Sequence, residues 1–269
     1  MSRTWDLLRK SDLFAENRQL PSPSEEHARE VTYLTAHIGP EAEALLQREQ
    51  HGVMADRLRF LRANLRSLWS EEKLKCLLIT SAAPHDGKST VALNLAITLA
   101  EGGKRKVLLI EGDMHQPRIT QRLSLGFTRA PGLADCLDGK AEAAKAVLKI
   151  DPLEMFLLSA GKPGNHPTEL LQSDALAALM RTVRKQFDWV VVDSPPVQPL
   201  SDALLLRQQT DATLLVVRSG QTPSSAVEEA VTLLGKKSIL GMVLNGVEGL
   251  ERQYSKYYKV YGSDGNGRE

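Results

Sequence analysis

The chain has 269 residues, with 34 lysines and arginines against 33 aspartates and glutamates, so its formal net charge at pH 7 is +1. This balance gives no basic footprint for nucleic-acid binding, and the length suffices for one α/β domain with an extension or for two small domains. The two cysteines have neither metal-binding spacing nor a disulfide framework, which fits a reduced compartment. No apolar run has the length of a signal-peptide core or a membrane span, so we expect a cytoplasmic protein.

Two helices are predicted before residue 50. The sequence Ser-Pro-Ser-Glu at residues 22–25 supplies an N-cap serine, a proline at the first helical position and a glutamate at the third. It predicts a helix that runs to about Ala36. A second helix is expected from Glu41, and Gly52 is expected to break it. We assign residues 1–50 to an N-terminal helical extension.

The next segment, from Val53 to about Trp69, has the periodicity of an amphipathic helix. Leucines line one side of this helix and arginines line another: Leu58, Leu61 and Leu65, and Arg59, Arg62 and Arg66. An arginine row of this kind indicates either a solvated helix face or a surface that binds a partner.

From residue 75 onward, apolar runs of strand length alternate with helical patterns. The predicted strands are Cys76–Thr80, Val107–Ile110, Met155–Leu158, Trp189–Val192, Ala212–Val217 and Ile239–Leu244. Helices are predicted between them, for example over Glu169–Phe187 and Ser224–Leu234. Because the strands are continuous apolar runs, they are expected to be buried on both faces. We therefore predict an α/β fold over residues 51–250, with a mostly parallel sheet and helices on both faces.

A phosphate-binding loop follows the first of these strands. In such a loop the backbone N–H groups and the helix N-terminus bind phosphate oxygens, while Lys88 neutralises charge and the Ser89 hydroxyl ligates Mg²⁺. Ala82 replaces the usual first glycine, which requires a backbone with negative φ. The residues predicted to bind nucleotide in the loop are Pro84, His85, Asp86, Gly87, Lys88, Ser89 and Thr90.

Carboxylates end two of the predicted strands. Asp193 ends one of them, where it can hold Mg²⁺ opposite Ser89. Glu111 and Asp113 end another, and their spacing predicts that both point the same way. One could then reach the metal while the other faces an incoming hydroxyl. The alternative is a solvated loop with acids by chance, but both strands end at the sheet edge that carries the phosphate loop.

Four of the five tyrosines lie within eight residues: Tyr254, Tyr257, Tyr258 and Tyr261. Two of them are adjacent, so no single face of a helix or strand could bury all four. One alternative is an ordered flap, and another is an aromatic, basic patch that stacks nucleic-acid bases. Beside a nucleotide site, a cluster of phosphorylatable hydroxyls explains the pattern better. We assign residues 251–269 to this tyrosine-rich tail.

Together these motifs resemble the bacterial protein-tyrosine kinases (BY-kinases) of capsule and exopolysaccharide synthesis, a branch of the MinD/ParA-like P-loop ATPases. The resemblance covers about residues 54–262. It includes Pro-Gly-Leu-Ala-Asp at 131–135, Pro-Thr-Glu-Leu-Leu at 167–171 and the segment 187–196. MinD/ParA ATPases of cell division and plasmid partition carry a signature lysine where this chain has Ala83, and they lack the tyrosine tail.

The resemblance implies an ATP- and Mg²⁺-dependent autokinase that phosphorylates its tail in trans. In that reading Asp113 is the base for a tyrosine hydroxyl, and Asn245 contacts the nucleotide base. Glu111 takes the place of the first acid of its motif, as a catalytic residue and metal ligand. The residues implied to bind the phosphates and the metal are Lys88, Ser89, Thr90 and Asp193.

The resemblance also implies assembly and partners. The helix around Asp56, Arg59 and Arg62 is similar to the family segment Glu-x-x-Arg-x-x-Arg, which joins subunits into a ring. A separate membrane protein that sets polysaccharide chain length would activate the kinase and recruit it to the inner face of the membrane. A phosphotyrosine phosphatase would reverse the reaction, and no nucleic-acid partner is expected. The implied function is regulation of polysaccharide chain length and export.

Three residues depart from the family pattern. Glu111 replaces an aspartate, His115 stands where the family usually has arginine, and Asp56 replaces a glutamate in the ring helix. Two rival functions stay open. One is a non-kinase ATPase switch in which the tyrosines are incidental, and the other is a catalytically weak scaffold, which Ala82 and Glu111 would explain.

Overall fold

A mostly parallel sheet of eight strands forms the centre of the part of the chain that the computed structural model describes, which comprises residues 33–49, 52–69, 74–125, 130–162, 164 and 166–249. The strands are β1 (Leu34–His37), β2 (Cys76–Ser81), β3 (Val107–Glu111), β4 (Leu148–Asp151), β5 (Met155–Leu158), β6 (Trp189–Asp193), β7 (Ala212–Arg218) and β8 (Ile239–Asn245). Their order across the sheet is β1-β4-β5-β3-β6-β2-β7-β8. Only the pair β4–β5 in this sheet is antiparallel, which confirms the predicted fold class.

Helices cover both faces of the sheet. They are α1 (Pro40–Glu49), α2 (Val53–Trp69), α3 (Lys88–Ala100), α4 (Ile119–Arg122), α5 (Leu133–Leu137), α6 (Ala143–Ala146), α7 (Pro167–Leu171), α8 (Asp174–Gln186), α9 (Asp202–Arg207) and α10 (Ser224–Leu234). Along β2, Leu77 and Ile79 pack in one cluster with α1 to α4, while Cys76 and Leu78 pack in another with α5 to α9. The central strands are buried on both faces, as their continuous apolar sequence predicts. No helix in the described ranges is long and apolar enough to cross a membrane.

The prediction of a helix that runs to about Ala36 is wrong at the C-terminal end of that helix. Residues Leu34–His37 form β1, which pairs in parallel with β4 at the edge of the sheet. Strand β4 was also not predicted, although Leu148 and Ile150 are buried and alternate with half-buried Lys149 and Asp151. Each strand has only four residues, and neither is a continuous apolar run like that of β5, so no strand pattern stands out. The remainder of that helix, from residue 22, and the tail tyrosines lie outside the described residues.

Helix α1 packs onto the sheet together with α2. Ala42 and Leu46 of α1 are buried in the same cluster as Leu58 and Leu65 of α2. Residues 33–49, which the sequence assigned to a helical extension, therefore contribute to the core of the α/β unit.

The helix predicted over Glu169–Phe187 is two helices, α7 and α8. They are separated at Gln172 and Ser173, and Ser173 has an extended backbone (φ −75°, ψ 152°) immediately before α8. Serine before an acidic first turn is a favoured helix start, so this boundary was visible in the sequence Ser-Asp at 173–174.

The carboxyl ends of β2, β3 and β6 meet at one edge of the sheet. Glu111 at the end of β3 is the register partner of Asp193 at the end of β6. The next residue, Gly112, donates its N–H to the Asp193 carbonyl at 2.8 Å. A Cβ on Gly112 would lie 2.7 Å from that carbonyl oxygen and 2.9 Å from Leu206 Cδ1. Only glycine lets the chain leave β3 this close to β6, and this close approach places Asp113 at the edge that carries the phosphate loop.

Candidate active site

The phosphate loop joins the end of β2 to the start of α3. Lys88 is the first residue of α3, so the unpaired N–H groups of the first helical turn lie at the loop. His85 (φ 66°) and Gly87 (φ 95°) adopt the left-handed region, whereas Ala82 does not have a positive φ. The backbone condition that the Ala82 methyl group imposes is therefore met, and the predicted strand–loop–helix context is confirmed.

Side chains from two other segments hold the loop in shape. Asp86 is buried, and its carboxylate accepts the Ala83 N–H at 3.0 Å and the Thr222 hydroxyl at 2.7 Å. The Asn245 side-chain amide donates to the Asp86 carbonyl at 2.9 Å. An ideal Cβ on Gly87 would lie 2.1 Å from Asn245 Nδ2, so only glycine fits there. The Asp86 carboxylate thus braces the loop, and the predicted contact of Asn245 with a nucleotide base stays a prediction.

Lys88 and Asp113 form a nearly buried ion pair. Lys88 Nζ lies 2.9 Å from Asp113 Oδ2, and the two side chains are 13% and 4% exposed. The other carboxylate oxygen of Asp113 accepts the Gln116 N–H at 3.0 Å. The lysine predicted to bind phosphate and the predicted base are therefore in direct contact, and a backbone turn fixes the carboxylate.

Asp193 is the least satisfied charged group of the site. It is fully buried, and neither carboxylate oxygen has a hydrogen-bond partner. Burial raises the pKa of Asp193 to about 7, an effect that the Lys88 ammonium and the Ser89 hydroxyl oppose. The Ser89 hydroxyl lies near the carboxylate but outside normal hydrogen-bond geometry. A buried carboxylate with two unused oxygens beside a serine hydroxyl has the chemistry of a Mg²⁺ ligand set.

No cluster of three or more histidine, cysteine, aspartate or glutamate side chains in the described residues could hold a metal by itself.

Glu111 has a different environment from the one predicted. It is fully buried, and each of its two carboxylate oxygens accepts two hydrogen bonds. The donors are the Ile119 N–H (2.6 Å), the Thr120 N–H (3.2 Å), the Thr120 hydroxyl (2.6 Å) and the Ala160 N–H (3.2 Å). Glu111 therefore holds the start of α4 against the end of β5. The metal contact predicted for this residue would require at least one of these bonds to break.

A network around Asp202 was missed by the sequence motifs. Asp202, at the start of α9, is fully buried. One of its oxygens accepts the Thr168 hydroxyl at 2.7 Å, and the other lies 3.0 Å from His115 Nε2. The departure from the family pattern at His115 was the available signal, but no sequence pattern identified Asp202 as its partner.

A cavity of about 840 Å³ lies over the phosphate loop. The predicted site residues that line this cavity are Pro84, His85, Gly87, Lys88, Ser89, Thr90 and Asp113. Those that do not line it are Asp86, Glu111, Asp193 and Asn245. Leu45 of α1, His115, Arg118 and Arg122 complete part of its wall, so α1 reaches the site although its sequence carries no nucleotide motif.

Glu49, the last residue of α1, connects two walls of this region. One of its oxygens accepts a hydrogen bond from the Asn94 side chain on α3 at 2.8 Å, and the other forms an ion pair with Arg122 on α4. Because Arg122 lines the cavity, Glu49 fixes the position of that wall relative to the helix that follows the phosphate loop.

The residues predicted to join subunits lie on α2. Arg59 forms an exposed ion pair with Asp56 at 2.7 Å. Arg62 donates to the Thr98 carbonyl of α3 at 3.0 Å and is half-buried. Phe60, between the two arginines, is 64% exposed. The role of this helix in assembly stays a prediction.

Known proteins are similar to this chain in sequence and in fold. A family model described as an AAA domain matches residues 85–229. Tyrosine-protein kinase YwqD of Bacillus subtilis is 32% identical over 222 residues, which are 81% of this chain and 90% of that protein. The solved kinase domain of Escherichia coli tyrosine kinase ETK superposes with a TM-score of 0.68 at 28% identity, over 80% of this chain and 90% of the domain.

A longer relative contains the same unit as one part. Succinoglycan biosynthesis transport protein ExoP of Rhizobium meliloti is 36% identical over 68% of this chain, but the match covers only 25% of that protein. The same family assignment follows from the phosphate loop, from the carboxylates at the sheet edge and from these relatives. The chain belongs to the bacterial tyrosine-protein kinases of capsule and exopolysaccharide biosynthesis and is an ATP-binding P-loop enzyme of that family.

Proposed function

We propose that this kinase transfers the γ-phosphoryl group of ATP to its own C-terminal tyrosines, in trans between copies, and thereby regulates polysaccharide chain length and export. The acceptors are Tyr254, Tyr257, Tyr258 and Tyr261. The observation that carries the proposal is the contact between Lys88 and Asp113 at 2.9 Å, beside the buried and unpartnered Asp193. This contact joins a phosphate-binding cation to a carboxylate that can accept a proton.

Nucleotide binding is assigned to the loop and the first turn of α3. The backbone N–H groups hold the phosphate oxygens, and Lys88 neutralises the charge on the β- and γ-phosphates. Ser89 and Asp193 would hold Mg²⁺, which supplies charge neutralisation on the phosphates when bound. Asp193 supports this role because a divalent cation would satisfy its two unused oxygens.

Asp113 is assigned as the general base. Tyrosine has a pKa of about 10 in water, so its hydroxyl requires a proton acceptor as it attacks. The tyrosine oxygen forms a bond to the γ-phosphorus, the bond from that phosphorus to the β–γ bridging oxygen breaks, and the proton passes to Asp113. ADP leaves with the bridging oxygen. Lys88 supports this assignment, because a γ-phosphate competes with Asp113 for the same ammonium group and frees the carboxylate to accept a proton.

Assembly and partners follow as parts of the same proposal. Helix α2, with Asp56, Arg59 and Arg62, joins copies into a ring and brings each tail to a neighbouring site. We propose that the kinase domain begins near residue 33, since β1 and α1 pack with the sheet. ExoP, in which the matching region is a quarter of the protein, supports a separate membrane-anchored activator that recruits this chain to the inner face of the membrane. A phosphotyrosine phosphatase would reset the tail.

The test is peptide mass spectrometry of the purified full chain before and after incubation with Mg·ATP. We expect several phosphates on the four tail tyrosines of the wild type and none in Lys88→Met. Asp113→Asn should keep ADP affinity while the rate of transfer falls. The matched control is Lys149→Met, because Lys149 forms an ion pair of the same 2.9 Å length with Glu154 away from the cavity, and the two side chains are 38% and 39% exposed. ATP turnover without phosphotyrosine would refute the proposal in favour of an ATPase switch.

A further inference from the structure

The loop that carries Asp113 is held not only by Lys88 of the phosphate loop but also by a contact between His115 and Asp202, called here the His115 anchor. Asp202 is 0% exposed, and its carboxylate has two partners, the Thr168 hydroxyl at 2.7 Å and His115 Nε2 at 3.0 Å. A buried carboxylate is costly unless donors compensate it. Because an ionised carboxylate only accepts hydrogen bonds, the imidazole donates from Nε2. These two contacts tie α9 and α7 to the segment that leaves β3.

The anchor acts close to the proposed base. His115 is two residues after Asp113, and two residues of extended chain span at most about 7 Å. The Asp113 carboxylate is otherwise held by Lys88 Nζ and by the Gln116 N–H. When a phosphate competes for Lys88, the Gln116 turn and the His115 contact still hold the loop, together with the Gly112 hydrogen bond to the Asp193 carbonyl and the buried Met114 side chain.

We propose that His115 and Asp202 are positioning residues that set the place of the Asp113 carboxylate between the γ-phosphate and the acceptor tyrosine. This inference rests on the role proposed above for Asp113. It concerns placement, so the imidazole itself does not have to take up the tyrosine proton. Thr168 supports the same contact, because its hydroxyl donates a hydrogen bond to the other carboxylate oxygen of Asp202.

The experiment measures phosphotyrosine formation at saturating Mg·ATP and, separately, ADP affinity. We expect His115→Ala to lower kcat by about 10- to 100-fold, since misplacement of a catalytic group by about 1 Å has that effect, with ADP affinity unchanged. Asp202→Asn should lower kcat similarly, and the double variant should be no worse than either, because coupled residues are not additive. His115→Arg should retain kcat, because a guanidinium can donate a hydrogen bond to the Asp202 carboxylate as the imidazole does.

The matched control is the pair His37–Asp151, which has the same 3.0 Å separation but is exposed at 75% and 40%. His37→Ala should leave kcat unchanged. Circular dichroism checks folding, and Thr168→Val replaces Asp202→Asn if that variant unfolds. Wild-type kcat in His115→Ala would overturn the inference. So would a loss of kcat in His115→Arg equal to that in His115→Ala, because the imidazole would then take part in the chemistry. Absence of phosphotyrosine in the wild type would instead refute the proposed function.

Discussion

The buried Asp193 carboxylate should make the metal-free protein less stable as pH rises. Its pKa of about 7 compares with an ordinary value of 3.8, so the folded chain holds this proton more tightly than the unfolded chain. Linkage then lowers the free energy of unfolding as pH rises from about 4 to about 7. At about 1.4 kcal/mol per pKa unit, the difference between 3.8 and 7 corresponds to about 4 kcal/mol in full. Between about pH 5 and about pH 8 the loss should be about 2.5 kcal/mol.

Asp193→Asn removes this titration and keeps the shape of the side chain. The amide brings its own cost of about 1–3 kcal/mol for unmet hydrogen bonds, but that cost does not change with pH. The assay is urea unfolding of wild type and variant in EDTA at about pH 5 and about pH 8. The free energy of unfolding of the variant, relative to that of the wild type, should be about 2.5 kcal/mol higher at about pH 8 than at about pH 5. Mg·ADP should then stabilise the wild type more than the variant. A pH-independent difference between the two proteins would refute the reasoning.

Further predictions concern the loop and the start of α4. Gly87→Ala should abolish ADP binding in a fluorescence titration, because its φ is 95° and a Cβ would clash with Asn245. Gly139→Ala is the control, since its φ is also positive (71°) but its surroundings are open, and normal binding in both variants would contradict the argument. Glu111→Gln should lower the free energy of unfolding by about 3 kcal/mol, because a buried amide cannot accept all the bonds that this carboxylate accepts. Thermal unfolding measures this, and an unchanged Tm would mean that the Thr120 contacts contribute little.

Much of the sheet could be predicted because its strands are long apolar runs. The runs at Cys76, Val107 and Trp189 each become a central strand within one residue of the predicted ends. Their carboxyl ends meet by topology alone, so the proximity of Lys88 and Asp113 followed from parallel pairing. Strands β1 and β4 mix apolar and polar residues over only four positions, so their periodicity does not compete with helix signals.

The surroundings of individual side chains could not be predicted in the same way. The spacing of Glu111 and Asp113 suggested two carboxylates with similar tasks. The strand ends at Glu111, and the close approach at Gly112 gives each acid its own partners. The contact between His115 and Asp202 joins residues 87 positions apart, and nothing local to either residue specifies the other.

The position of α1 has a consequence for how this kinase can vary. Through Leu45 and Glu49, a helix that precedes the phosphate loop by about 40 residues forms part of the cavity wall and fixes another part of it. Substitutions in α1 can therefore alter acceptor access or turnover while the nucleotide motifs stay intact. A hybrid kinase that joins an unrelated N-terminal segment to residue 51 would keep every nucleotide motif. It would still lose the part of the cavity wall that α1 forms.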